Sequence, residues 1–135
     1  MENRRALIEA SLERVVEIAS DPKDRVYARL FKQRPDFEEL FCMDVDGSVR
    51  ANMFATSINC LLGVADGSDT PRLLLEAARM DHDGYGLDSS DIDLMFSVMR
   101  DEFRHLLGSE WTQETEAAWS SLLQELEEIG RLASA

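Results

Sequence analysis

Apolar side chains recur every three to four residues in the first part of the chain, which is the spacing of one face of a helix. Over residues 4–19 the positions that keep this spacing are Ala6, Leu7, Leu12, Val15, Val16 and Ile18. No segment alternates apolar and polar residues as a half-buried strand does, and no repeat of about 20–50 residues occurs. The pattern therefore predicts an all-α chain.

Helix-start signals recur along the rest of the sequence. A capping residue followed by proline or by first-turn acidic residues marks a helix N-terminus. In chain order these signals are Ser20-Asp21-Pro22, Thr70-Pro71, Ser89-Ser90-Asp91, and Thr112 with Glu114 and Glu116. The helix after Pro22 should extend to about Arg34, and Gly130 should end the last helix. We expect six or seven helices in a single domain over residues 1–135.

Acidic residues outnumber basic ones, 27 against 14, which gives a formal net charge of −13 over 135 residues. A field of this sign repels phosphate backbones, so we expect no nucleic-acid partner. Hydrophobic residues make up 44% of the chain, which is enough to bury a core. Composition alone thus indicates an acidic, folded domain.

Two further features of the sequence indicate where in the cell the protein should be found. No apolar run reaches the roughly 20 residues that a membrane span needs, and the opening MENRRALIEA lacks a signal-peptide core. The two cysteines, Cys42 and Cys60, cannot build a disulfide framework. We therefore expect a cytoplasmic protein without a membrane partner.

Two short acidic segments begin like calcium-binding loops of the EF-hand type, Asp44-Val45-Asp46-Gly47 and Asp81-His82-Asp83-Gly84. Such loops need a bidentate glutamate at their twelfth position, where this chain has Ala55 and Ile92. Without that ligand we do not expect calcium binding. Of the two histidines, His105 lies at the polar edge of a predicted helix and is expected at the surface.

Five segments in order carry a more specific pattern: Val26–Phe31, Arg34–Phe41, His82–Leu87, Leu107–Glu114 and Ala117–Trp119. With these separations the chain resembles the bacterial single-domain globins across residues 22–129. The resemblance implies a globin fold of six to eight helices in a three-on-three sandwich. It also implies a haem b cofactor (iron protoporphyrin IX).

The resemblance makes His82 the proximal ligand of the haem iron. A neutral imidazole on iron and an apolar slot around the porphyrin are what such a cofactor needs. The segment before His82 is apolar, and the carbonyl of Ala78 is one turn earlier, where it can accept the other ring N–H. Leu87 is expected to help shape the pocket.

On the opposite side of the haem, the resemblance makes Tyr27 the distal tyrosine and Phe41 the phenylalanine that wedges the ring. A Tyr27 hydroxyl that points into the pocket can donate a hydrogen bond to an iron-bound gas. The alternative is a core tyrosine whose hydroxyl donates to a backbone carbonyl. The sequence leaves both open.

The distal helix can be aligned in two registers. Counting back from His82 puts Arg50, Phe54 and Ile58 on the haem side, whereas counting forward from Phe41 puts Ala51 at the ligand-facing position. We prefer the first, because it gives a continuous apolar stripe. Arg50 is then expected to reach a haem propionate or solvent. With no distal histidine, the ligand-free reduced iron should be five-coordinate unless Met53 or Tyr27 binds it.

The expected function is reversible binding of dioxygen, nitric oxide or a similar diatomic gas. An enzymatic alternative is nitric-oxide dioxygenation, which would need a separate reductase as partner because the chain has no room for a flavin domain. Ile92 stands where many relatives have a bracing tyrosine, and this weakens the redox alternative. A third alternative is a globin-shaped sensor or interaction module. The chain is expected to be a monomer or a homodimer.

Overall fold

Six α-helices and one 3₁₀ turn make up the regular structure in the computed structural model, which describes residues 3–19, 21–39, 41, 43–67 and 89–134. The helices are α1 (Asn3–Ile18), α2 (Pro22–Gln33), α3 (Pro35–Glu39), α4 (Ser48–Asp66), α5 (Ser89–Leu107) and α6 (Gln113–Ser134), with the 3₁₀ turn at Gly108–Glu110. No strand occurs in these ranges. The all-α prediction is confirmed.

The capping signals predicted the starts of three helices correctly. Helix α2 begins at Pro22 and α5 begins at Ser89. Helix α6 begins directly after Thr112, whose Oγ1 accepts a hydrogen bond of 3.1 Å from the Thr115 N–H. That bond satisfies one of the N–H groups that have no partner inside a helix.

The predicted end of α6 at Gly130 is wrong, because the helix continues to Ser134. A glycine inside a helix costs about 1 kcal/mol relative to alanine, and this penalty alone does not stop a helix that is already packed. The short α3 was not predicted either. Its five residues are too few to show a helical period.

The core is centred where α1, α5 and α6 pack together. Trp119 of α6 is fully buried, and its Nε1–H donates to the Ser11 hydroxyl of α1 at 3.0 Å. Ser11 in turn donates to the carbonyl of Ile8 at 2.7 Å. The ring of Phe103 in α5 meets Trp119 edge-on, with 5.9 Å between ring centroids. The Trp119 indole and the Ser11 hydroxyl are therefore both paired despite their burial.

The other helices are arranged around this junction. Helix α1 also packs on α4, α4 packs on α6, and α2 packs on α3 and α5. The contact between α2 and α5 includes an ion pair in which Nε of the half-buried Arg29 lies 2.9 Å from the buried carboxylate of Glu102. Arg29 therefore fixes α2 against the core, two residues after Tyr27. Within the described ranges no helix is long and apolar enough to cross a bilayer.

Candidate functional site

Three aromatic rings meet where α2 approaches the segment after α3. Tyr27 and Phe31 lie one turn apart on α2, with 5.8 Å between their ring centroids. Phe41 contacts both, at 5.7 Å from Tyr27 and 5.6 Å from Phe31. Tyr27 is 3% exposed, whereas the two phenylalanines are partly buried and pack against the core. We call these residues the aromatic trio.

The Tyr27 hydroxyl joins the aromatic trio to α4. It donates a hydrogen bond of 3.1 Å to the backbone carbonyl of Arg50, in the first turn of that helix. Of the two orientations that the sequence left open, the structure has the hydroxyl on a backbone carbonyl. A phenol has one proton to donate, so in this arrangement the proton is engaged within the protein.

Burial raises the pKa of Tyr27 above its ordinary value. The nearby charge of Arg50 lowers the pKa only in part, and the carboxylate of Asp44 raises it further. The side chain is therefore a neutral phenol at physiological pH. It can act as a hydrogen-bond donor, but it is poorly suited to bind a metal as a phenolate.

Asp44 closes the start of α4. Its Oδ1 accepts from the Val49 N–H at 3.0 Å, and its Oδ2 accepts from the Arg50 N–H at 3.0 Å. The Arg50 guanidinium also binds Asp44, with its Nε 3.0 Å from Oδ2 and its Nη2 3.2 Å from the Asp44 carbonyl. Gly47, with φ of 75°, makes the left-handed turn that allows the loop to fold back. We call this set of contacts the Asp44 clamp.

Burial alone would raise the pKa of Asp44, but the hydrogen bonds from the Val49 and Arg50 N–H groups and the Arg50 guanidinium outweigh that effect. The pKa of this carboxyl is therefore held below its ordinary value, and the group is ionised at neutral pH. Asp46 uses its Oδ1 to accept from the Ser48 N–H at 3.1 Å. The segment that began like a calcium loop thus caps the start of a helix.

No group of three or more His, Cys, Asp or Glu in the described ranges could hold a metal ion.

The side of α4 below Arg50 is apolar. Phe54 and Ile58 follow Arg50 at intervals of four residues, so they lie on the same side of the helix. Both are partly buried and pack against the core, whereas Ala51 is exposed. The helix therefore turns the side chains of the preferred register inward. The Arg50 guanidinium, however, engages Asp44, which was not among the partners expected for it.

These residues fit a flat, apolar cofactor better than a polar one. Phe41, Phe54 and Ile58 offer apolar surface that is only partly covered, and the charged groups of Arg50 and Asp44 are paired with each other. A porphyrin needs such a slot, with hydrogen-bonding groups restricted to its edge and to the ligand side. The other half of the predicted site lies outside the described residues, namely His82, Ala78 and Leu87.

The remaining side chains that could react or bind a metal are the thiols and the second histidine. Cys60 is buried, and burial raises its pKa to about 11, which is typical of an inert packing thiol. Cys42 lies outside the described residues. His105 is exposed near the end of α5, where it was predicted.

The capping role of Asp44 was not predicted. An aspartate shortly before a predicted helix is a signal for capping, but here the acceptor lies five residues before its first N–H partner, farther than the usual cap.

Comparison with known proteins adds no family to this picture: no family model matches the chain, and neither a curated protein nor a solved structure matches it.

Proposed function

We propose that this chain is a haem-binding globin that reversibly binds dioxygen or another diatomic gas. The observation that carries the proposal is the meeting of Tyr27, Phe41 and Arg50. These residues are separated by up to 23 positions, and the resemblance to single-domain globins assigns all of them to one side of a haem. Their contact beside the partly covered apolar side of α4 is what such a site requires.

The arrangement of helices also supports the proposal. In a three-on-three sandwich, two layers of helices cross and enclose the cofactor. The packing of α1 and α4 on each other and on α6, together with the packing of α2 on α5, is compatible with two such layers. The proposed fold is accordingly that of a globin.

Each residue has a definite task in the proposed site. His82 would supply a neutral imidazole nitrogen to the iron, and the Ala78 carbonyl would accept the other ring N–H and so fix the tautomer. Phe41, Phe54 and Leu87 exclude water from the slot. When bound, haem would supply an iron that can bind a diatomic gas reversibly.

Tyr27 can stabilise such a gas only by exchanging partners. Its one proton is engaged by the Arg50 carbonyl, so donation to a ligand requires that this bond be given up. One neutral hydrogen bond then replaces another. The net gain in ligand affinity is therefore modest, on the order of severalfold.

The decisive experiment is reconstitution of the haem-free protein with hemin, followed by absorption spectra of the ferric, ferrous and carbon-monoxide forms. We expect a Soret band that titrates to one haem per chain. The chain offers a matched control, since it has two histidines. His82→Ala should lose the histidine-ligated spectrum, and His105→Ala should keep it.

Two results would contradict the proposal. The first is wild-type protein that remains folded, by far-ultraviolet circular dichroism, yet takes up no haem. The second is a His82→Ala spectrum identical to that of His105→Ala.

A further inference from the structure

The residue that ties the distal tyrosine to α4 is itself held by a buried carboxylate. The Asp44 side chain is 3% exposed, and both of its oxygens accept hydrogen bonds from the start of α4. Its charge is balanced by the Arg50 guanidinium at 3.0 Å. A carboxylate buried in this way is paired at every oxygen, so it sets the geometry of the groups around it.

Arg50 is fixed from two directions. Its N–H and its guanidinium both bond to Asp44, and its carbonyl accepts the proton of Tyr27. Its neighbours in the first turn give it little support, since Val49, Ala51 and Asn52 are exposed. Beyond the hydrogen bonds of the helix itself, the contacts that hold the carbonyl that engages Tyr27 are therefore those of the Asp44 clamp.

We propose that Asp44 is a positioning residue. Through Arg50 it determines the strength of the hydrogen bond from the Tyr27 hydroxyl to the Arg50 carbonyl, and hence how readily the hydroxyl donates to a bound gas instead. The inference rests on the proposed function for its consequence, but the coupling itself belongs to the haem-free protein. A rigid Arg50 carbonyl competes with the ligand for one proton. If the Arg50 carbonyl is held less firmly, the Tyr27 hydroxyl donates to the ligand more often.

Asp44→Asn tests the coupling with little change of shape. The amide removes the charge that pairs with Arg50, and only its oxygen can accept a hydrogen bond, because its other terminal atom is an NH₂ group. Asp46→Asn is the matched control, because Asp46 lies in the same loop, is exposed, and accepts from the backbone N–H of Ser48 two residues on. Arg50→Ala serves as a second variant if Asp44→Asn does not fold, since it removes the guanidinium contacts and leaves the backbone carbonyl in place.

The first measurement needs no haem. The protein is labelled with tyrosine carrying ¹³C at the ζ carbon, and the chain contains only two tyrosines, so Tyr27→Phe assigns the Tyr27 signal by its absence. We expect Asp44→Asn, or Arg50→Ala in its place, to move this signal while Asp46→Asn leaves it unmoved. A Tyr27 signal that is the same in all variants would overturn the inference.

The second measurement uses haem-loaded protein and the rate of dioxygen dissociation. We expect this rate to fall by roughly two- to tenfold in Asp44→Asn, the scale of one neutral hydrogen bond. In a Tyr27→Phe background the same substitution should have no effect, because no proton remains to be released. An equal effect in both backgrounds would show that Asp44 acts only on stability, and would overturn the inference.

The two failures are distinguishable. Protein that takes up no haem contradicts the proposed function, while the ¹³C signal still tests the coupling. Protein that loads haem normally but shows no response of Tyr27 to Asp44→Asn contradicts the inference alone.

Discussion

Replacing Tyr27 with phenylalanine removes a single hydroxyl. It tests both functions assigned to that hydroxyl, which are the hydrogen bond to the Arg50 carbonyl and donation to a bound gas. The variant keeps the ring, so the contacts with Phe31 and Phe41 at 5.8 and 5.7 Å are retained. It loses the 3.1 Å hydrogen bond to the Arg50 carbonyl. That carbonyl still has the N–H of Phe54, one turn on, as its ordinary helical partner. No buried acceptor is therefore orphaned, and we expect a loss of about 0.5–1.5 kcal/mol in the free energy of unfolding.

Urea unfolding of haem-free wild type and Tyr27→Phe, followed by circular dichroism, measures this loss directly. In haem-loaded protein the same variant should release dioxygen roughly two- to tenfold faster, because the donor to the ligand is gone. Carbon monoxide, a weaker hydrogen-bond acceptor, should respond less and serves as the control ligand.

The possible results separate the two functions. A loss of stability without a change in dioxygen release would mean that the hydroxyl serves the protein core alone. A variant that is unchanged in both measurements would refute the role given to the hydroxyl. A loss well above about 3 kcal/mol would show that the ring itself had moved, since one hydrogen bond cannot account for it.

Three further predictions concern other buried groups. Ser11→Ala leaves the fully buried Trp119 N–H without its acceptor, so unfolding in urea should show a loss of about 1–3 kcal/mol, and a loss near zero would contradict the pairing. Because the pKa of Asp44 is lowered on folding, the contribution of its ionised carboxylate to the free energy of unfolding is complete above about pH 4 and is lost as the pH falls through the lowered pKa. Below about pH 4 the free energy of unfolding should therefore fall less steeply with decreasing pH in Asp44→Asn than in wild type. Equal slopes in the two proteins would count against this prediction. Cys60, with a pKa of about 11, should not react with a thiol reagent at pH 8 until the chain unfolds. The reaction is measured in a Cys42→Ser variant, so that Cys60 is the thiol observed. Prompt reaction in the folded state would show that the Cys60 thiol is accessible and would contradict the prediction.

Helix starts were the most predictable part of the fold. The signals at Pro22, Ser89 and Thr112 depend on local chemistry, since a cap or a first-turn proline acts on the N–H groups of its own helix. The end of α6 was not predictable in the same way. Whether a helix passes a glycine depends on the packing of the whole helix, so Gly130 misled the prediction.

The candidate site shows a similar division. Apolar spacing was sufficient to choose the side of α4 that carries Phe54 and Ile58. The partner of the Tyr27 hydroxyl was not predictable, because a ligand and a backbone carbonyl are equally good acceptors and only the position of α4 decides between them. The contact of Arg50 with Asp44 depends on a loop that folds back at Gly47, which the sequence pattern alone did not reveal.

The two indoles of the chain form a single pair, with 5.8 Å between the rings of Trp111 and Trp119. Tryptophan fluorescence therefore reports on the junction of α1, α5 and α6 and not on events confined to the aromatic trio. At this separation the two chromophores couple, so the near-ultraviolet dichroism should carry a signal from the pair that disappears when the junction opens, even while the helices themselves persist. The protein thus contains a built-in optical probe that distinguishes loss of tertiary packing from loss of helix.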